Sequence, residues 1–182
     1  IKQLIQVRDK DIPFVKAEEM NELPSISDAF LLVKNGVIAD FGKMSKMPNF
    51  GDIETINAKN KIVLPAWCDS HSHSVFTGNR SDEYMQRIKG ATYEEIAKNG
   101  GGILKSSSQI NSISSEDLFQ ESKKRIKSLI RQGTGALEIK SGYGLSYDAE
   151  LKMLEAINRL KNSLPIEIKS TFLGAHAVPK NY

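Results

Sequence analysis

The chain has 182 residues, with 25 basic and 22 acidic side chains for a formal charge of +3, and is 40% apolar against 26% charged. That balance belongs to ordinary globular proteins and excludes a disordered tail, a collagen-like repeat and a membrane-spanning protein. No apolar run approaches the roughly 18 residues of a transmembrane helix. The pI is near 8.9, yet Lys and Arg are interleaved with Glu and Asp, so neither a nucleic-acid face nor a membrane partner is expected. The single cysteine, Cys68, cannot close an internal disulfide, which favours a reducing, cytoplasmic setting.

The sequence opens on Ile1-Lys2-Gln3-Leu4-Ile5, without an initiator Met and already in a strand-like run, and stops at Tyr182 just after another, Ile166–Leu173. The expectation is a piece of a longer protein. Residues 1–61 read as short strands and turns. Ala29–Val33 is apolar, Lys34-Asn35-Gly36 turns, and Val37–Gly42 resumes; an Asn-Gly pair between two such runs signals a hairpin. A small antiparallel β region is predicted, followed by a strand over Lys61–Cys68.

From Ile62 onward, strands alternate with helical stretches. Thr92 is placed to cap a short helix with Glu95 at the reciprocal position. Ser114 or Ser115 starts a longer one to about Arg131, with Leu118, Ile126, Leu129 and Ile130 on one side. Ala136–Lys140 reads as a strand, Asp148–Lys161 as a helix bearing Leu151, Leu154, Ile157 and Leu160, and Ile166–Leu173 as a strand. This order predicts parallel βαβ units in an α/β fold. A (β/α)8 TIM-like barrel takes about 250 residues and only about 120 follow the β region, so a barrel would be partial, with its first three βα units present. The alternative is an open doubly wound sheet, but no Gly-x-Gly-x-x-Gly follows the first strand to suggest a dinucleotide fold.

The chemistry gathers at strand ends. His71 and His73 follow the histidine strand at alternate positions, so their side chains project together. Two converging imidazoles suit a divalent metal such as zinc, although a catalytic zinc normally takes three protein ligands. An exposed or core-satisfied pair near a turn is the plainer reading. His176 lies past the last strand, as a third ligand, a substrate contact, a proton donor or a loop residue without a role. Arg80 is suited to clamp a carboxylate through paired N–H donors, or is a surface arginine. Tyr143, between two glycines, is free to face a ligand, although a plain turn has the same composition. Glu138 and Lys140 share a strand face, where an internal ion pair is expected. Gly100-Gly101-Gly102 reads as a flexible loop, because no Lys-Ser/Thr follows at phosphate-loop spacing.

The run from Pro65 to Arg80, with Asp69-Ser70-His71-Ser72-His73, resembles the first metal-binding motif of the amidohydrolase superfamily. Lys89–Tyr93, Gly100–Ile103, Glu138–Leu145, Glu150–Leu154 and Thr171–Pro179 narrow the resemblance to the imidazolonepropionase family of histidine degradation. Pro65-Ala66 stands where that family often has Pro-Gly, and Ser70 and Ser72 replace commoner neighbours.

The resemblance implies an N-terminal β region, 1–61, as part of a composite β-sandwich. It makes 62–182 the first part of a truncated amidohydrolase barrel. It implies a metal-dependent hydrolase opening the ring of 4-imidazolone-5-propanoate to N-formimidoyl-L-glutamate. His71 and His73 would bind one zinc or iron ion, Arg80 the propanoate carboxylate, and Tyr143 and His176 the ring, with His176 also stabilising the oxyanion. The remaining ligands, a histidine and an aspartate, and the catalytic glutamate would come from later strands, so these residues alone are expected to be inactive. A small-molecule substrate and a homodimer of the complete protein go with this reading. The alternatives are another cyclic amidohydrolase or aminohydrolase of the superfamily, or a non-catalytic truncated fragment.

Overall fold

The computed structural model describes residues 1–8 and 12–178. The chain divides into two compact units, Ile1–Pro65 and Ala66–Tyr182, each with its own sheets.

In the first unit, β1 (Gln3–Ile5) pairs antiparallel with β2 (Ser25–Ser27) and parallel with β5 (Ile62–Val63), while β3 (Ala29–Lys34) pairs antiparallel with β4 (Val37–Lys43). The hairpin between β3 and β4 turns at Asn35 and Gly36, both with positive φ (53° and 78°). That is the type I′ geometry for which an Asn-Gly pair is suited. Leu4, Ala29 and Phe30 are the buried apolar residues of this unit. The expectation of a purely antiparallel region is corrected by the parallel pairing of β1 with β5.

The predicted strand over Lys61–Cys68 is corrected too. It is two strands in different sheets, β5 and then β6 (Trp67–Ser72), separated around Pro65. Proline has no N–H to give to a ladder, which ends β5 there. His71 therefore lies inside β6 and His73 immediately beyond it.

The second unit is built on a parallel sheet in the order β6-β7-β8, with β7 at Thr134–Lys140 and β8 at Glu167–Thr171. After β6 come α1 (Ser81–Ile88), α2 (Tyr93–Lys98), α3 (Ile103–Ser112) and α4 (Ser115–Arg131); α5 (Tyr147–Ser163) joins β7 to β8. Thr92 and Glu95 form the full capping box on α2, and the Ser114 hydroxyl accepts from the Asp117 N–H at the start of α4. Gly102 enters α3 at φ 66°, ψ −142°, a conformation open to glycine alone, and its N–H donates to the buried Glu83 carboxylate. The triple-glycine run is thus a fixed helix entry, not a slack loop.

Leu137 and Ile139 of β7 and Ile168 of β8 point into a core with Leu118, Ile126, Met153, Ile157 and Leu160 from α4 and α5. The apolar stripe of α5 runs through Ala149, Met153, Ala156, Ile157 and Leu160, whereas Leu151 is 42% exposed. Strict three-residue steps drift around a helix of 3.6 residues per turn, which is why Leu151 falls off the buried side. The opposite face of the sheet carries charge: Glu138 and Lys140 form the expected ion pair on β7, and Lys169 lies 3.7 Å from Glu167 on β8. Among the described residues no helix is long and apolar enough to cross a membrane.

Candidate functional site

Three strand ends bring their aromatic side chains together. His73 comes from the end of β6, Tyr143 from the loop after β7 and His176 from the loop after β8. The His73 and Tyr143 rings lie 4.9 Å apart, His73 and His176 5.1 Å, and Tyr143 and His176 5.5 Å, with planes within 15–17° of parallel. His71 meets His73 edge-on at 5.6 Å. Parallel strands end on one side of a sheet, so loops distant in sequence are forced into one cluster.

Each loop is pinned by backbone-directed hydrogen bonds. The Asp69 carboxylate accepts from the His71 N–H at 3.0 Å. The Ser72 hydroxyl donates to the Glu138 carbonyl at 2.8 Å, and its N–H reaches the Glu138 carboxylate at 3.4 Å, tying the histidine pair to β7. Glu138 is desolvated, which alone would raise its pKa, but bonds from Lys140, Thr171 and Ser72 outweigh that and hold it ionised below the usual range. Arg125 of α4 donates to the carbonyls of Ser74 and Phe76 at 2.6 and 3.3 Å, with its guanidinium 3.6 Å over the Phe76 ring. The Ser141 hydroxyl, fully buried, accepts from the Leu173 N–H at 3.0 Å and so links the loops after β7 and β8.

The tautomer of His176 follows from its partner. Its Nδ1 lies 3.0 Å from the Gly142 carbonyl. A carbonyl only accepts, so Nδ1 carries the proton and Nε2 is left open for a ligand. Burial, together with the neighbouring His176, His71 and Lys140, pushes the His73 pKa down, favouring the neutral imidazole that metals bind. The His73 Nδ1 is buried and has no hydrogen-bond partner. An orphaned imidazole nitrogen beside a second histidine fits half of a metal site. Among the described residues, no three His, Cys, Asp or Glu side chains form a group able to hold a metal ion.

Arg80 does not join the ring cluster. It is exposed at the N-terminus of α1, and among the described residues its side chain forms no hydrogen bond or ion pair. Pro179, the last residue of the Thr171–Pro179 motif, lies outside the described residues. One residue enters the sequence reading only as the start of the Glu150–Leu154 segment, with no role of its own. Glu150 of α5 is buried, and its carboxylate accepts from the N–H groups of Gly142, Gly144 and Leu145. The signal was a carboxylate three residues before Met153 and seven before Ile157, on the buried stripe of the helix.

No family model matches the chain. It is 56% identical over all 182 residues to the imidazolonepropionase of Flavobacterium psychrophilum, and 53% identical to those of Flavobacterium johnsoniae and Christiangramia forsetii. It spans 44% of the length of each of these relatives. Its fold is similar to that of a 5-methylcytosine deaminase from Klebsiella pneumoniae, solved with 5-fluorocytosine, at a TM-score of 0.59 and 20% identity over 94% of this chain and 36% of that one. More than half of its residues are identical to those of these imidazolonepropionases along its entire length, which covers under half of the length of each.

Proposed function

We propose that this chain contributes the first metal ligands and the ring-binding side chains of a hydrolase that opens 4-imidazolone-5-propanoate to N-formimidoyl-L-glutamate, in the cytoplasm. The observation that carries the reading is the convergence of His73, Tyr143 and His176 from three strand ends. The identity to imidazolonepropionases supports the choice of substrate. In this reading the unit from Ala66 is the first part of a (β/α)8 barrel, and the unit before it is part of a composite β-sandwich. The sheet supports a barrel, because β6, β7 and β8 lie side by side in chain order, all parallel. A doubly wound sheet reverses its order at a switch point.

His71 and His73 would hold one zinc or iron ion. When bound, such an ion acidifies water so that hydroxide is available at neutral pH. The chain's own residues then bind and orient. Tyr143 and His176 contact the flat ring, and Nε2 of His176 is the open nitrogen that meets the carbonyl oxygen where charge develops. Arg80 pairs with the propanoate carboxylate, supplying binding energy remote from the scissile bond. The remaining ligands and the general base are taken from outside these residues, in keeping with the 44% of the relatives' length that is matched.

The test is an assay of the protein in its cellular form, supplied with metal, on 4-imidazolone-5-propanoate alongside other cyclic amides and an aminopyrimidine. Preferential formation of N-formimidoyl-L-glutamate is expected. Preferential hydrolysis of another ring would move the chain to a different activity.

A further inference from the structure

Glu150 is a buried carboxylate on an otherwise apolar helix stripe, and no step of the chemistry above uses it. Burying a carboxylate is unfavourable unless its lone pairs are filled. Here they are: Oε1 accepts from the N–H of Gly144 at 2.7 Å and of Leu145 at 3.1 Å, and Oε2 from the N–H of Gly142 at 2.8 Å. All three donors belong to the loop that carries Tyr143. That loop is held in an unusual shape, with Gly142 at φ 104° and Leu145 at φ 54°. A side chain at position 142 would meet the Leu173 carbonyl at 2.8 Å and the His176 Nδ1 at 2.9 Å. The same Gly142 that donates to Glu150 offers its carbonyl to His176 Nδ1.

We infer that Glu150 is a positioning residue: by gripping three N–H groups of the loop it sets the place of Tyr143 and, through the Gly142 carbonyl, fixes the His176 ring with Nδ1 protonated and Nε2 free. The importance of this for turnover rests on the reading of Tyr143 and His176 as substrate contacts. The grip itself is independent of that reading. Glutamine cannot reproduce it, because its amide nitrogen donates and cannot accept. In Glu150→Gln either Gly142 loses its partner or Gly144 and Leu145 lose theirs.

The experiment is nitrogen–proton correlation NMR of the histidine rings of the 182-residue chain, with the His176 signals identified by their loss in His176→Asn. A single Nδ1–H tautomer is expected for His176 in the native chain, and a mixture of both tautomers in Glu150→Gln. Met153→Ala, on the same buried stripe, should lower the melting temperature and leave the tautomer untouched. A single Nδ1–H tautomer retained in Glu150→Gln, or equal mixing in Met153→Ala, would overturn the inference. Amide exchange in the native chain provides a reading that needs no variant: the N–H groups of Gly142, Gly144 and Leu145 should exchange slowly, and exchange at the rate of open loops would also overturn it. The substrate reading fails separately, through unchanged substrate affinity in Tyr143→Phe.

Discussion

At the scale of single residues, charge does different work according to where it is buried. Glu138 and Lys140, partly buried, neutralise each other on the charged face of the sheet and anchor Ser72 between the two histidines. Arg80 is exposed and unpaired among the described residues, which suits a side chain reserved for a ligand's carboxylate. In the protein as it turns over substrate, Arg80→Ala should raise KM by an amount equivalent to about 2–4 kcal/mol with little loss of kcat, if the pair is desolvated on binding. Steady-state kinetics checks this, and an unchanged KM removes Arg80 from the site. His71, His73, Tyr143 and His176 were visible as candidates because they fall at or just past strand ends, although the register shift between Asp69 and Ser72 means that strict alternation does not set the histidine pair. Glu150 was not, since a glutamate in the first turn of a helix reads as a solvated charge favoured by the helix dipole. Only the packing of α5 on the loop shows it turned inward.

At the scale of elements, the second unit positions its site with helices that reach back over the strand ends. Arg125 is the clearest case: from the middle of α4 it clamps the carbonyls of Ser74 and Phe76, directly after His73. Arg125→Met keeps much of the apolar stem over Phe76 but abandons both carbonyls. It should destabilise the unit by about 1–3 kcal/mol, measurable by urea unfolding. A change below about 0.5 kcal/mol would show that water replaces the guanidinium without cost. The hairpin at Asn35-Gly36, the caps at Thr92 and Ser114 and the strands β7 and β8 were legible because local chemistry decides them. α1 and α3 were not singled out. α3 begins at a glycine whose N–H finds its acceptor in Glu83, nineteen residues earlier, and no local pattern announces that pairing.

At the scale of the whole chain, the sheet of the second unit has two outer strands, β6 and β8, whose free edges pair with no other strand among the described residues. Phe172 and Val178, beyond β8, are 67% and 76% exposed. Unpaired edges beside exposed apolar side chains favour association. Sedimentation velocity of the 182-residue chain should therefore show concentration-dependent association, and a monomer over a tenfold concentration range would argue against open edges. The α/β class was legible from the alternation of strands and helices. The pairing of β5 with β1 was not, because a two-residue strand has no period to read.

His71 and His73 are proposed as the first two ligands of a metal ion. Elemental analysis of the protein isolated from its own cells tests this directly, alongside the double variant His71→Ala/His73→Ala with its fold checked by circular dichroism. One zinc or iron ion per chain is expected in the native protein and none in the variant. A full complement of metal in the folded variant, or none in the native protein, would contradict it.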